Sequence, residues 1–344
     1  MSDQESFDAT YHAALDALAG EFEGIDSSLA IVFPPSDPLR GEIGTFVKRG
    51  GKRFRPALSL IVAESLGCKI TKPHIALELF HKFLLVHDDI IDEDSVRYGA
   101  PTLHTAMTNG RGRHFGEAMG IIGGDLLASA SYQIILDSPI SDDRKIALLN
   151  LLTTATEEVA WGWYDQFLMD SLSLNNPTLT HERVERSIIW VTGKYSIKLP
   201  LLFGYTLAGK KPPEFLEPLA DTLGVLYQTG DDLIGLFGDK SKTGKSNNSD
   251  ISQGKKTLPL VFAYENAPAI DKKTLAHLIG NKQATREDFS KVRHIITSYG
   301  LEQTNQYIER QRLRALDLIG ECDLPGQLRG FLKGFVAHIS RREY

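Results

Sequence analysis

Long segments of this 344-residue chain place apolar residues at helical spacing, and no segment alternates apolar and polar residues for long enough to seed a β-sheet. The segment PALSLIVAESLG, residues 56–67, begins with proline and ends with glycine, as helices commonly do. Further helical segments begin near residues 74, 123, 145, 181, 215, 256, 301 and 326. The pattern predicts an all-α fold of ten or more helices arranged as a bundle.

The length of the chain allows either one large domain or two smaller ones. With 42% hydrophobic and 24% charged residues, the chain can bury a core, and disorder is expected only at its ends. We predict a single domain over residues 1–344, in which residues 1–30 form a helical extension that is partly disordered at its start. Turn-forming residues predict loops at 34–38, 138–141, 175–178, 209–213, 238–250 and 322–326.

The charge of the chain limits its partners. A net charge of −6 argues against nucleic acid or an anionic membrane as the main partner. Cys68 and Cys322 share no metal-type spacing, which is typical of thiols in a reducing cytosol. The N-terminal residues MSDQESFDAT lack a signal segment, and no uninterrupted apolar run reaches 18 residues. These features predict a cytoplasmic protein without nucleic-acid partners or membrane insertion.

An acidic cluster follows an apolar helical segment in the stretch VHDDIIDEDSVRYG, residues 86–99. Asp88 and Asp92 are four residues apart and so share a helix face, with Asp89 beside them. Two carboxylates roughly 5 Å apart repel each other by about 3 kcal/mol at an effective dielectric constant of 20. Carboxylates with open positions suit Mg²⁺, whereas Glu93 and Asp94 are expected to be solvated.

A second acidic pair, Asp231 and Asp232 in GDDLIG, also follows an apolar helix. A solvated surface patch is the alternative interpretation of either cluster, and the repetition weighs against it. The loop RGGKRFRP, residues 49–56, places three cations after two glycines and before a helix, an arrangement that binds diphosphate. The loop GKSNNSDISQGKKT, residues 244–257, is similar, although either loop could be a solvated basic loop. Together these features predict a Mg²⁺–diphosphate enzyme with an apolar cavity.

The sequence resembles the trans-isoprenyl diphosphate synthase family in a series of segments. In chain order these are GGKRFRP, HDDIID, RYGAPTLH, GGDLL, QFLMD, GKYS, QTGDDLIGLFGD and GKSNNSDISQGKKTLP. The resemblance runs from about residue 50 to residue 259. It implies an all-α fold around a deep cavity. A homodimer, the usual assembly in the family, is implied as well. It also implies that isopentenyl diphosphate condenses with an allylic diphosphate (dimethylallyl, geranyl or farnesyl) with three Mg²⁺ ions per site, Mn²⁺ being an alternative ion.

The resemblance assigns roles to individual residues. The metal ligands would be Asp88, Asp92, Asp170 and Asp231. Isopentenyl diphosphate would bind Gly51, Lys52, Arg55 and His81. The allylic diphosphate would bind Arg97, Lys194, Lys245 and Lys255, with Asp89 and Asp232 in support. The catalytic set would be Lys194, Gln166, Asp88 and Asp231. Core packing or simple solvation is the alternative for His81, Gln166, Lys194 and Lys245.

The sequence departs from the family pattern at four positions. Tyr98 stands where the family usually has a second arginine that helps to hold isopentenyl diphosphate, so that site is expected to be weaker or rebuilt. Gly235 replaces the third aspartate of the second motif, with Asp239 as a candidate substitute. Tyr195 follows the lysine of the KT element, and Asp165 precedes Gln166 in place of glycine. Some actinobacterial-type geranylgeranyl diphosphate synthases are similar at positions 235 and 195.

The helix before Asp88 is expected to set the product length. Phe83 lies five residues before Asp88, about 7 Å along a helix axis, and Phe80 lies one turn further, with Leu84 beside them. In the family this pattern often accompanies a twenty-carbon product, although core packing is the alternative role for Phe83. We therefore predict geranylgeranyl diphosphate, with farnesyl or longer diphosphates as alternatives. A class I terpene cyclase and a non-catalytic partner subunit are the rival functions.

Overall fold

The computed structural model describes residues 3–25, 29, 38–238 and 248–340, and in these residues nearly all regular structure is helical, which confirms the predicted all-α class. The α-helices are α1 (Asp3–Glu23), α2 (Pro38–Lys48), α3 (Phe54–Ser65), α4 (Ile75–Ile91), α5 (Leu103–Thr108), α6 (Arg113–Leu136), α7 (Asp142–Ser171), α8 (His181–Ile188), α9 (Leu199–Ala208), α10 (Leu216–Phe237), α11 (Ser249–Gln253), α12 (Leu258–Asn266), α13 (Ala269–Leu278), α14 (Arg286–Tyr299), α15 (Leu301–Gly320) and α16 (Gly326–Ser340). A 3₁₀ turn (Lys72–His74) precedes α4, and a π-helix (Ile189–Lys198) joins α8 to α9.

The chain forms two compact units. The N-terminal unit comprises Asp8–Thr153 and Pro200–Pro212, and the C-terminal unit comprises Met1–Phe7, Thr154–Leu199 and Pro213–Tyr344. The single domain expected over residues 1–344 stays a prediction. The extension expected over residues 1–30 is helical through α1, and residues 1–2, 26–28 and 30 lie outside the described part.

Close packing of α6 against α4 organises the N-terminal unit. A Cβ atom on Gly120 would lie 2.7 Å from Cδ1 of Ile90, and one on Gly124 would lie 2.3 Å from Nε2 of His87. Atoms cannot approach so closely, so a side chain at either position would force Ile90 or His87 to move. The GGDLL segment is thereby explained: its second glycine makes room for the histidine that immediately precedes Asp88.

Helix α6 bears on the expectation that no segment of this chain spans a membrane. In the described part of the chain it is one helix long enough and apolar enough to cross a membrane, with a mean hydropathy of 1.3 over 18 residues. Its apolar run is not continuous, because charged and polar residues such as Glu117, Asp125 and Gln133 interrupt it. Half of that window is buried inside the protein, and core helices pass the same test. The feature is therefore weak support for a membrane-spanning role.

A short hairpin that the sequence did not predict follows the acidic end of α4. Strands β1 (Val96–Arg97) and β2 (Ala100–Pro101) pair in antiparallel register, with Arg97 opposite Ala100. The two residues between them, Tyr98 and Gly99, have φ angles of +53° and +73°. A type I′ hairpin turn has positive φ at both central positions, which glycine adopts readily and tyrosine rarely. The turn brings Arg97 back toward the end of α4.

In the C-terminal unit, the helix that carries the second acidic pair packs against the π-helix. A Cβ atom on Gly224 of α10 would lie 2.3 Å from Cα of Gly193, so the two backbones touch. The sequence predicted one continuous helix from His181, but the structure changes from α to π geometry after Ile188. Such π segments are common at functional sites. Buried residues of α8, α10, α12, α14 and α15 form the surrounding core.

Candidate active site

The first predicted metal face lies at the C-terminal end of α4. Asp88 and Asp89 are in its last turn, and Asp92 is the C-cap. Arg97 reaches back to this end: its Nη2 is 3.0 Å from Oδ2 of Asp88, and its Nε donates to Oδ1 of Asp89. The same guanidinium lies 3.8 Å from Asp94, whose side chain is only 19% exposed. Asp94 is therefore not the solvated residue that the sequence suggested.

The charge of Asp89 is poorly compensated by the protein. Its side chain is buried, and this burial raises the pKa of Asp89 to about 7 even though Arg97 acts in the opposite direction. Its Oδ2 atom has no hydrogen-bond partner in the described residues. A buried carboxylate oxygen without a donor is unfavourable unless another positive group reaches it. The arrangement of Asp88, Asp89 and Asp92 therefore fits a divalent cation.

The chemistry of these oxygens points to Mg²⁺ in particular. Within the described residues, no three or more His, Cys, Asp or Glu side chains are grouped to hold a metal by themselves. Mg²⁺ does not need such a cage, because it is usually bound by one or two carboxylates, water and substrate phosphates. Asp88 and Asp92 are thus suited to an ion that arrives with a diphosphate.

Four cations surround His81 in the middle of α4. Desolvation and the positive charges of neighbouring side chains hold the pKa of His81 well below its usual range. In decreasing order of effect, these neighbours are Arg55, Lys82, Arg97 and Arg53. The imidazole is therefore neutral at pH 7 and offers one N–H donor. Several cations near a neutral donor make this part of α4 electropositive, which suits a diphosphate.

The predicted diphosphate loop, residues 49–56, leads into α3. Gly50 and Gly51 have φ angles of +29° and +110°, and Arg53, the N-cap of α3, is also left-handed. Lys52 is exposed, and its carbonyl accepts a hydrogen bond from the hydroxyl of Tyr11. Arg55 lies near enough to His81 to lower its pKa. The isopentenyl diphosphate roles of Gly51, Lys52, Arg55 and His81 stay predictions.

The second acidic pair lies near the end of α10. Asp231 is partly exposed, whereas Asp232 is buried. Nε2 of Gln228 donates to Oδ1 of Asp232 at 2.9 Å, and its Oε1 accepts from Thr192 at 2.9 Å. Burial raises the pKa of Asp232 to about 8; the bond from Gln228 opposes this effect, and the charge of Asp250 reinforces it. A second poorly compensated carboxylate therefore occurs in the C-terminal unit.

The carboxylate of Asp250 lies against Gly235, the position where the family pattern has a third aspartate. A Cβ atom at position 235 would lie 2.7 Å from Oδ2 of Asp250, so this carboxylate fills the space that a side chain would take. Lys255 lies near enough to favour the charged form of Asp232. Asp239, the substitute that the sequence suggested, lies outside the described residues. Sequence reasoning missed Asp250 because no local pattern shows that α11 folds back onto α10.

Asp170, a predicted metal ligand, anchors the loop after α11. Its carboxylate accepts from the main-chain N–H of Lys256 at 2.9 Å, and its carbonyl accepts from Nζ of Lys256 at 3.0 Å. Lys256, only 8% exposed, also donates to the carbonyl of Gly254 at 2.6 Å. Asp170 therefore fixes the backbone next to Lys255. Its role as a metal ligand stays a prediction.

Lys194 occupies a position that the sequence did not suggest. Its Nζ donates to Oε1 of Glu217 at 2.8 Å and lies 3.0 Å from Oδ1 of Asp221. Asp221 precedes Asp231 by ten residues on α10, about 15 Å along the helix axis. The structure therefore does not bring Lys194 to the end of α10 that carries Asp231. Its catalytic and allylic-diphosphate roles stay predictions.

Two further predicted residues receive little additional support. Gln166 is partly exposed on α7, and the neighbouring Asp165 is ion-paired with Arg183 at 2.6 Å. Lys245 lies outside the described residues. The roles assigned to Gln166 and Lys245 therefore stay predictions.

The predicted chain-length residues lie on the apolar part of α4. Phe80 is 0%, Leu84 3% and Phe83 7% exposed. The ring of Phe83 meets Phe80 edge to face at a centroid distance of 5.6 Å and His87 at 4.9 Å. The slight exposure of Phe83 agrees with a place at the edge of the packed core. Its role as a floor for the product stays a prediction.

Comparison with known proteins identifies a family match and curated relatives. The Polyprenyl synthetase family model matches residues 37–296. A geranylgeranyl pyrophosphate synthase from Geoglobus acetivorans is 31% identical over 80% of this chain and 83% of its own. A short chain isoprenyl diphosphate synthase from Methanocaldococcus jannaschii is 31% identical over 79% of this chain and 80% of its own.

Solved structures share the fold over nearly the whole chain. A geranylgeranyl pyrophosphate synthase from Corynebacterium glutamicum, complexed with isoprenyl diphosphate and magnesium, has a TM-score of 0.84 at 25% identity and covers 98% of this chain and 99% of its own. The corresponding synthetase from Pyrococcus horikoshii has a TM-score of 0.81 at 26% identity, with 98% and 99% covered.

Proposed function

The chain belongs to the polyprenyl synthetase family, and we propose that it condenses isopentenyl diphosphate with an allylic diphosphate to give geranylgeranyl diphosphate. Members of this family are metal-dependent prenyltransferases, so the reaction class follows from membership. Relatives named geranylgeranyl diphosphate synthase support the twenty-carbon product. Farnesyl and longer products are the alternatives.

The main support for this proposal is that one helix, α4, has cations around its middle and carboxylates at its C-terminal end. The neutral His81 and its surrounding cations suit a diphosphate, and seven residues later Asp88 begins the metal face. Seven residues on a helix span about 10 Å. A substrate anion and a metal-bound anion can therefore both be held along α4.

Each substrate anion has its own proposed set of residues. Gly51, Lys52, Arg55 and His81 would hold isopentenyl diphosphate. In the N-terminal unit, Asp88 and Asp92 would bind Mg²⁺, or Mn²⁺ in its place. In the C-terminal unit, Asp231 would do so, with Asp170 as a further ligand, and the reaction would use three ions in all. Asp250, which lies against Gly235, is a new addition to this set. Arg97 and Lys255 would bind the allylic diphosphate, since each lies beside a buried aspartate.

The chemistry requires placement rather than a protein nucleophile. Bound Mg²⁺ supplies positive charge that stabilises the departing diphosphate. The bond between C1 and oxygen of the allylic substrate breaks, and the diphosphate leaves with the electron pair. The alkene of isopentenyl diphosphate then forms the new carbon–carbon bond, and a proton passes from its C2 to the released diphosphate. The residues around His81 hold the alkene donor in position by its diphosphate.

A homodimer is the proposed assembly. On α7, the large side chains of Trp161, Tyr164 and Phe167 are 60%, 58% and 62% exposed. They recur every three residues and so form an exposed aromatic stripe. Monomeric proteins rarely leave such a stripe uncovered, and a second copy of the chain would bury it. The proposed location is the cytoplasm.

Product analysis tests the proposed function. Purified protein with Mg²⁺, isopentenyl diphosphate and each of the three allylic primers should yield geranylgeranyl diphosphate, measured by mass spectrometry. Chelation of the metal should abolish the product. A hydrocarbon formed from the allylic substrate alone would instead identify a terpene cyclase. No turnover alone, combined with stimulation of another synthase, would identify a non-catalytic partner subunit.

A further inference from the structure

Lys82 is a fully buried lysine to which no role has been assigned. Its Nζ donates to the carbonyl oxygen of Arg49 at 3.2 Å and to that of Gly50 at 3.4 Å. The nearest anion, Oε1 of Glu78, is 3.7 Å away and is held more closely by Arg53 at 2.6 Å. The ammonium group of Lys82 is therefore directed mainly at two consecutive main-chain carbonyls.

These contacts orient the amides of the diphosphate loop. In a trans peptide unit, the N–H points away from the C=O. The carbonyl of Arg49 shares its peptide unit with the N–H of Gly50, and the carbonyl of Gly50 shares its unit with the N–H of Gly51. Because both carbonyls face Lys82, both N–H groups point away from it. In the described part of the chain, neither N–H donates to a main-chain carbonyl.

Two successive amides that point the same way form a concave anion site. Such a site needs backbone angles that glycine adopts without strain, and Gly50 and Gly51 have φ angles of +29° and +110°. The loop is therefore shaped for a phosphate group on the side away from Lys82. The lysine acts through the backbone and need not touch the anion.

Tyr98 covers the ammonium group of Lys82 from another side. Nζ lies 4.8 Å from the centre of the tyrosine ring, a cation–π distance. Cγ of Tyr98 is 3.5 Å from where a Cβ of Gly50 would be, and its hydroxyl is 3.5 Å from the same point on Gly51. The ring thus lies along the loop. Its backbone adopts φ +53°, which tyrosine rarely takes, so tertiary contacts must maintain this position.

We propose that Lys82 is the positioning residue of the isopentenyl diphosphate site, with Tyr98 as its cap. The two outward amides of Gly50 and Gly51 would then hold one phosphate group of this substrate. The inference rests on the proposed function and adds residues to that same site. Burial lowers the pKa of Lys82 to about 8, with Glu78 opposing, so the ammonium group is still charged at neutral pH.

The variant Lys82→Met tests the proposal with little damage to the fold. Methionine is also long and unbranched, and Glu78 keeps its ion pair with Arg53, so no buried anion loses its closest partner. We expect the KM for isopentenyl diphosphate to rise about tenfold, equivalent to about 1.4 kcal/mol, with kcat and the KM for the allylic substrate within about twofold. Lys82→Gln, which can still donate to a carbonyl, should recover part of this loss.

Lys198→Met is the matched control. Lys198 is also a mostly buried lysine, ion-paired with Glu158 at 2.6 Å, and has no proposed part in either substrate site. Its replacement should leave the KM for isopentenyl diphosphate unchanged. Thermal unfolding of each variant, followed by circular dichroism, separates loss of the fold from loss of the loop geometry.

Calorimetric titration of isopentenyl diphosphate into the full chain, without allylic substrate, tests Lys82 independently of turnover. A weaker Kd for Lys82→Met supports the proposal. The proposal is overturned if folded Lys82→Met has an unchanged KM and Kd for isopentenyl diphosphate. It is also overturned if the substitution impairs kcat and the KM values for both substrates to the same extent. If Lys82→Met does not fold, Tyr98→Leu should raise the same KM severalfold, and no change overturns the proposal. A wild-type protein that binds isopentenyl diphosphate without turnover refutes the proposed function only.

Discussion

Replacing Phe83 with alanine should lengthen the product by about one five-carbon unit. Phe83 lies five residues before Asp88 on α4, about 7 Å along the axis, and is 7% exposed. The substitution removes a six-carbon ring that packs between Phe80 and His87, at centroid distances of 5.6 and 4.9 Å. The space that is opened holds about as many carbons as one isoprene unit. A growing tail would then end at Phe80.

The same substitution should also lower the free energy of unfolding. Truncation of a buried phenylalanine to alanine costs about 3–5 kcal/mol, and loss of edge-to-face partners adds about 0.5–1.5 kcal/mol. Phe83 retains some exposure, so we expect a loss of about 3 kcal/mol. The assay pairs mass spectrometry of the dephosphorylated products with denaturant unfolding of the same preparation.

The matched control is Phe335→Ala, which truncates a phenylalanine of α16 that is 2% exposed. This variant should lose comparable stability and keep the wild-type product length. Phe80→Ala should also keep that length, because Phe83 would still stop the chain first. An unchanged product from folded Phe83→Ala would refute the floor assignment and leave Phe83 as a core residue.

Three further predictions follow from contacts in the described residues. Asp250→Asn removes a carboxylate beside the second acidic pair, so the Mg²⁺ concentration that gives half-maximal rate should rise about tenfold, equivalent to about 1.4 kcal/mol. An unchanged Mg²⁺ titration would argue against Asp250 as a residue that helps to bind the metal. Lys194→Ala should lose about 1 kcal/mol of stability, because two carboxylates engage its ammonium group. Its kcat tests the predicted catalytic role: a fall of about 100-fold or more would support that role, and a change within about threefold would refute it. Burial lowers the pKa of His74 to about 3, whereas the ordinary histidine pKa is 6.5. Between these two pH values the unfolded state binds a proton at His74 and the native state does not. Stability from this group is therefore complete above pH 6.5 and is lost as the pH falls toward 3, by about 2–3 kcal/mol at pH 4.5. Urea unfolding at pH 7 and 4.5 should show this loss in the wild type and a smaller one in His74→Gln.

Helices were predictable from the sequence because their signal is local. The proline and glycine around residues 56–67 placed α3 to within two residues, at Phe54–Ser65. The hairpin turn was missed because tyrosine is not a residue that normally signals positive φ. The π-helix was missed because its residues carry the same apolar spacing as the α-helix before it.

Site residues were predictable where a motif is contiguous and missed where contacts join distant segments. Asp88, Asp89 and Asp92 are adjacent on one helix, so their grouping is visible in the sequence. The approach of Asp250 to Gly235 depends on how α11 folds back, which no local pattern reports. Lys82 did carry a signal: a lysine in the apolar run ELFHKFLLVH must be either exposed or buried with partners.

The two acidic pairs share one design, which separates the roles of their members. In each pair the first aspartate is partly exposed and the second is buried, because consecutive helix residues face different sides. The second member accepts from a polar protein side chain, Arg97 for Asp89 and Gln228 for Asp232, and Arg97 also donates to the partly exposed Asp88. The first member is the one that an arriving ion can reach directly. A cation bound at the first member would favour the charged form of the buried member, whose pKa is raised by burial. The buried carboxylate would then add negative charge behind the ion without occupying its coordination sites. This division supports Asp88 as the direct ligand in its pair and Asp89 as the supporting residue.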